Sequence, residues 1–232
     1  PLSDVNRRGE EMSEYNPMLG LRGVRLGITV PEIYEMQARA IFEATIAASR
    51  EGNLIVPEIM IPLVSAKREV ELVKSRIDAV AAQARINSAI SFDYSLGVMV
   101  ETPRAALRAN EIALHSAFLS FGTNDLTQMT YGLSRDDAGR FMGDYVKQKV
   151  FPEDPFHTLD TEGVGELLKL GAERARRSDP EIVMSVCGEH GGNPESIAFC
   201  RKNQFDYVSC SPFRVPVARL AAAQLAISDQ KN

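Results

Sequence analysis

The chain has 232 residues with a net charge of −5 and a pI near 5.4, a balance that argues against a nucleic-acid groove, which needs a basic face. Its 44% hydrophobic and 25% charged residues suffice for one large, well-buried domain. No apolar run approaches the roughly 18 residues of a membrane span and no charged-then-apolar leader opens the chain, so a cytoplasmic protein is expected.

The first fifteen residues are polar and read as a lead-in to a single domain over 16–232, with Asn16-Pro17 as a break. A chain opening on Pro1 is expected to be processed or cut from something longer. Beyond MLGLRGVRLGI, the spacing of Ile33, Met36, Ala40, Ile41, Ala44 and Ala48 predicts an amphipathic helix from about Glu32 to Arg50, entered at Pro31. Leu54 to Val64 reads as a buried strand with prolines at its ends or in a bulge. From Ala66 to Asn87, Val70, Val73, Ile77 and Val80 mark one face of a surface helix.

Strand Leu96 to Val100, a helix from Pro103 to Ser116 and strand Phe118 to Gly122 follow. Met129 to Asp160, rich in Gly, Asp and Pro, reads as an irregular excursion with a short helix near Arg140 to Lys147. The chain closes with helix Val164 to Arg177, strand Ile182 to Cys187, helix Pro194 to Lys202, strand Tyr207 to Cys210 and helix Val215 to Ile227.

Alternating strands and helices call for a parallel sheet with right-handed crossovers. A dinucleotide fold would want GxGxxG after its first strand, and Gly20, Gly23 and Gly27 do not supply it. Polar residues gather instead at or just past strand ends: Arg22, Glu101, Asn124-Asp125 and Cys187. Many strand ends converging on one site is the habit of a (β/α)8 barrel, yet only about six strands are counted where a closed barrel needs eight, the first two being absent.

Glu101 and Asp125 each follow an apolar run, and one helical stretch joins those runs. Neighbouring parallel strands lie about 4.8 Å apart, so both carboxylates come within reach of one hard divalent ion. Taken singly, Glu101 could cap the helix at Pro103, Asp125 could cap a turn, Arg22 could be an ion-pair partner and Cys187 an apolar filler. Cys187, Cys200 and Cys210 lack CxxC spacing and are expected as free thiols. Arg7-Arg8 and the basic run from Arg174 to Arg177 read as solvated faces.

The blocks NPMLGLRGVRLGI, VPEIMIPLV, GVMVETPRAAL, SFGTNDLTQMTYGLSRDDAGRF, DPFHTLDTEGVG, CGEHGGNPESIAFC and DYVSCSPFRVPVARLAAAQ, in that order, resemble the pyruvate phosphate dikinase family over Asn16 to Gln224. The resemblance is to its C-terminal phosphoenolpyruvate/pyruvate domain and implies an incomplete (β/α)8 barrel. Phosphoenolpyruvate synthase and enzyme I of the sugar phosphotransferase system share the GTND and CG motifs but do not usually carry SRDDAGRF or SCSPFRVPVARLAAAQ.

The resemblance implies Mg2+ as cofactor on Glu101 and Asp125. It implies substrate contacts from Arg22, Gly122, Thr123, Asn124 and the same two carboxylates, and Cys187 as the acid that protonates the methylene carbon. It further implies a homodimer, with a phosphohistidine domain and an ATP-binding domain as partners elsewhere in a longer chain. His190 in CGEHGG is then expected to be structural or supporting, not the phosphorylated histidine. Alone, the chain is expected to be nearly inactive, since two further substrate arginines come from the first two barrel strands. A magnesium-dependent keto-acid lyase and a non-catalytic dimerisation fragment are the other readings.

The chemistry suits these residue types. Pyruvate accepts a phosphoryl group as its enolate, whose negative oxygen needs a cation, and magnesium takes one or two protein carboxylates while keeping other positions for substrate and water. Arg22 offers a planar fork to phosphoryl oxygens. A thiol poised near neutral pH can move a proton at the methyl carbon in either direction.

Overall fold

In the computed structural model, which describes residues 1–229, five parallel strands form one sheet: β1 (Glu58–Ile61), β2 (Ser95–Val100), β3 (Phe118–Gly122), β4 (Val183–Cys187) and β5 (Tyr207–Val208). Each strand pairs with the next in sequence, so the order is β1-β2-β3-β4-β5 with no reversal. A doubly wound sheet reverses its order at a switch point, and this one does not.

About six strands are expected and five are present among the described residues, none of them near Arg22, which is expected at or just past a strand end. Residues 16–29 instead make a short 3-10 turn (Pro17–Leu19) and a helix, α2 (Val24–Thr29), preceded by α1 (Leu2–Glu11), which buries nothing. Three glycines in MLGLRGVRLGI weaken a strand, since Gly adds backbone entropy and no side chain to pack. Gly23 takes φ +57 at the head of α2, where a Cβ would lie 2.8 Å from that of Leu63. Arg22 therefore stands on a loop before a helix, not at a strand end.

β1 is also shorter than the expected strand. Pro57 and Pro62 bound it because they lack the N–H that pairing needs, and Leu54 is 99% exposed.

Alternate residues of the strands face opposite ways. Ile61, Val98, Val100, Leu119, Phe121, Met184 and Val186 face the helices and are essentially solvent-free. The covering helices are α3 (Pro31–Arg50), α4 (Lys67–Ser88), α5 (Pro103–Leu107), α6 (Ala109–Ala113) and α10 (Val164–Ser178). In α10, Gly171 lets the helix approach Phe121, since a Cβ there would lie 2.8 Å from the ring.

α3 buries a different stripe from the one its spacing predicts. Ala38, Phe42, Thr45 and Ile46 are inside, and Met36 is 62% exposed. Small alanines on several faces leave the helical period ambiguous, and Phe42, in tilted ring contacts with Phe92 and Tyr94 at 5.2 and 5.0 Å, decides it. α4 buries the expected Val70, Val73 and Ile77, while the expected Val80 is only partly buried and Ala81 is the fourth buried position.

The stretch expected as one helix from Pro103 splits at Arg108 into α5 and α6. The excursion after β3 contains α7 (Thr123–Tyr131), α8 (Arg135–Ala138) and α9 (Met142–Lys147), and closes a small core of its own around Ala138, Met142 and Phe156. α11 (Pro194–Lys202) and α12 (Val215–Asp229) end the described chain. No helix among the described residues is long and apolar enough to cross a membrane.

Candidate active site

Glu101 is the first residue past β2, and it is 5% exposed. It does not cap α5, because Thr102 does so: its Oγ1 accepts from the Ala105 N–H at 3.1 Å and donates to the Val64 carbonyl at 3.0 Å. Glu101 is thus free to turn to the sheet end, where its Oε1 accepts the Leu63 N–H at 2.6 Å. Leu63 reaches that position with φ 60, a conformation few non-glycine residues adopt.

β3 leads straight into α7, so Thr123, Asn124 and Asp125 form the first turn of a helix that the sequence reading leaves unassigned. A carboxylate there is favoured by the positive end of the helix dipole. Gly122 separates the two acids, and a Cβ on it would lie 2.8 Å from Glu101 Oε2. Burial first, and the charge of Asp125 second, push the Glu101 carboxyl up to about 7, against the Leu63 N–H and Arg22, which pull it down. Two carboxylates that repel across so short a gap are a fit for a cation. Among the described residues no three His, Cys, Asp or Glu side chains gather into a group that could hold a metal by themselves.

Arg22 joins this pair from the loop before α2. Its Nη2 donates to Asp125 Oδ1 at 2.9 Å and its Nε to the Met18 carbonyl at 2.7 Å. Gln128, one turn along α7 and 8% exposed, also donates to Asp125 Oδ1 at 3.0 Å, while its Oε1 accepts the Arg135 N–H at 2.8 Å. Sequence reasoning passes over Gln128, although its i, i+3 spacing from Asp125 is a usable signal.

Cys187 ends β4 directly opposite Gly122 in the strand register, so Glu101, Gly122 and Cys187 top three adjacent strands. Its thiol is half-buried, 3.6 Å from the Phe121 carbonyl. Burial pushes its pKa up, Ser120 pulls it down, and Glu101 pushes it up further. The expected poise near neutrality is therefore corrected: the sulfur holds its proton and can act as an acid. Cys200 is buried and pushed up to about 12.

The Asn124 amide oxygen accepts the Glu189 N–H at 3.2 Å. Gly188 turns the chain at φ +111 beside Thr123 and Asn124, where a Cβ would lie 2.9 Å from each side-chain oxygen. Every predicted site residue thus stands at one end of the sheet, Arg22 and the β3 turn touching directly and Cys187 one strand away. A cavity of about 660 Å³ opens beside Arg22, Asn124 and Asp125, lined also by Asn16, Gln128 and Arg135 among others, while Glu101 and Cys187 stand outside its lining.

The profile of the PEP-binding domain of PEP-utilising enzymes matches residues 3–227. The chain belongs to this family. It is 53% identical over 230 residues to the pyruvate, phosphate dikinase of Rhizobium meliloti (strain 1021), covering 99% of this chain and 26% of that protein. It is 50% identical to that of Clostridium symbiosum, again over 99% and 26%, and 54% identical to pyruvate, phosphate dikinase 2 of Zea mays, over 97% and 25%. The chain therefore spans about a quarter of the length of the curated relatives it matches. Among solved structures, a citrate lyase from Burkholderia xenovorans LB400 superposes with a TM-score of 0.47 at 19% identity, over 71% of this chain and 48% of that one.

Proposed function

We propose that this chain is the phosphoenolpyruvate/pyruvate-binding part of a phosphotransferase of the pyruvate, phosphate dikinase type. One observation carries the reading: a buried glutamate and a helix-head aspartate meet beside an arginine at the ends of adjacent strands. The high identity to named dikinases over nearly the whole chain supports the same choice.

Glu101 and Asp125 would hold Mg2+. Bound there, the ion supplies positive charge for the developing enolate oxygen of pyruvate. Arg22, whose guanidinium already lies against Asp125, directs its remaining N–H groups at substrate oxygens. Gly122, Thr123 and Asn124 bind the substrate carboxylate through backbone N–H groups and the Asn124 amide. Cys187, held protonated, gives its proton to the methylene carbon, and the reverse transfer forms the enolate.

The consecutive strand order supports reading the sheet as an arc of a (β/α)8 barrel, whose sites lie at the carboxyl ends of the strands. A phosphohistidine domain and an ATP-binding domain complete the reaction, in which ATP, phosphate and pyruvate become AMP, diphosphate and phosphoenolpyruvate. Phe213 and Leu220, 93% and 61% exposed, suit a homodimer contact.

Calorimetric titration of magnesium with oxalate, an enolate mimic, tests the reading. The chain binds the pair together, and Glu101→Ala and Asp125→Ala each abolish the heat. Oxalate binding that survives in both variants removes these two residues as ligands and the reading with them.

A further inference from the structure

His190 is wholly buried in the 3-10 turn after β4. Its Nε2 lies 2.9 Å from the Pro155 carbonyl and its Nδ1 lies 2.7 Å from Thr123 Oγ1. A carbonyl oxygen only accepts, so Nε2 carries the ring proton. Burial holds the pKa below the usual histidine value, helped by Arg135 and His157 and opposed by the Pro155 hydrogen bond and Glu189. The ring is then neutral near pH 7, and Nδ1 is an acceptor.

The Thr123 hydroxyl thus has one proton and two acceptors, Nδ1 at 2.7 Å and the Cys187 carbonyl at 2.9 Å. Thr123 is itself fully buried and opens α7, two residues ahead of Asp125. Through one imidazole, three separate pieces of chain meet: the head of α7, the end of β4, and the excursion whose small core closes around Phe156.

We propose that His190 is a positioning residue, which through the Thr123 hydroxyl fixes the turn carrying Asn124 and Asp125 against the strand end carrying Cys187. It rests on the phosphoenolpyruvate/pyruvate reading for its purpose, though not for its geometry. The role needs a donor on one side of a rigid ring and an acceptor on the other. Glutamine places a donor where Nε2 stands but offers no acceptor at Nδ1, and valine at position 123 keeps the shape without the hydroxyl.

The test is a double-mutant cycle on the chain with His190→Gln and Thr123→Val. It is read by the rate at which iodoacetamide alkylates Cys187, located by mass spectrometry, and by the affinity for magnesium oxalate, with thermal melting alongside. Each single variant changes the alkylation rate several-fold and weakens oxalate binding roughly tenfold, and the double variant is no worse than either. Thr123→Ser restores both readouts, and if His190→Gln does not fold, His190→Asn, which keeps a short polar side chain on the Thr123 side of the ring, takes its place in the cycle, because the Thr123 variants alone also remove the bond to the Cys187 carbonyl. Melting that drops while alkylation and binding stay unchanged overturns the proposal, as do single effects that simply add. Absence of oxalate binding in the unmodified chain counts against the enolate reading only, because the alkylation cycle still decides the role of His190.

Discussion

Arg22 and Asp125, 103 positions apart, are joined by two parallel contacts, Nη2 to Oδ1 at 2.9 Å and Nη1 to Oδ2 at 3.4 Å. The arginine side chain is 37% exposed and the aspartate 17%, so the pair contributes little to stability and much to orientation. Arg22→Lys keeps the charge and loses the fork. Oxalate affinity in the presence of magnesium is expected to fall roughly tenfold, while the free energy of unfolding shifts by less than about 1 kcal/mol. Calorimetry and urea unfolding measure the two effects, and undiminished affinity would show that Arg22 serves Asp125 alone.

Glu101 gives the site a pH signature. Its carboxyl is raised to about 7 in the folded chain, so the protonated form is the favoured one. The associated stability is complete below the ordinary carboxylate pKa of about 4.3 and is lost as pH rises through 7. Glu101→Gln cannot ionise, so without metal its melting temperature should overtake that of the unmodified chain as the pH climbs from about 5 to 8. Parallel melting curves for the two proteins across that range would refute the assignment.

Gly122 has no room for a methyl group, with Glu101 Oε2 at 2.8 Å and Met99 Sδ at 3.0 Å from the position of a Cβ. Gly122→Ala should push the Glu101 carboxylate aside, costing about 1–3 kcal/mol and the magnesium-dependent heat of oxalate binding. A variant that melts normally and still binds would mean that the carboxylate can move freely.

Asp160 tests the scaffold apart from the site. Burial alone would raise its pKa, but the N–H groups of Gly163, Val164 and Glu162 and the Tyr131 hydroxyl hold it below the usual range. Its contribution is present above the unfolded pKa of about 3.9 and disappears as pH falls towards the lower folded value. Asp160→Ala should cost about 1–2 kcal/mol near neutrality, and the difference in urea midpoints should shrink near pH 3. Magnesium oxalate binding should not change. A pH-independent difference would assign the loss to packing.

Apolar runs bounded by turns mark β2, β3 and β4 well in the sequence, and with them the positions of Glu101, Gly122 and Cys187. What periodicity could not show was tertiary. MLGLRGVRLGI has enough apolar residues for a strand, but its glycines, and the seat of Gly23 against Leu63, commit it to a turn and a helix. The stripe on α3 follows Phe42, whose aromatic partners lie some fifty positions away. The Leu63 N–H that holds Glu101, and the two sides of His190, are contacts between distant segments, and no local pattern announces them. The expected neutral poise of Cys187 failed for the same reason: its surroundings are set by burial and by Glu101, two strands away.

The strand order has a kinetic consequence. Because every strand pairs with its predecessor, each can add to the growing sheet as it leaves the ribosome, and closing one crossover at a time keeps the entropy of each step small. Arg22 is made before any of the five strands, yet its partner arrives 103 residues later. The sheet can therefore be laid down in order of synthesis, while the two halves of the site meet only after β3 and the head of α7 are in place.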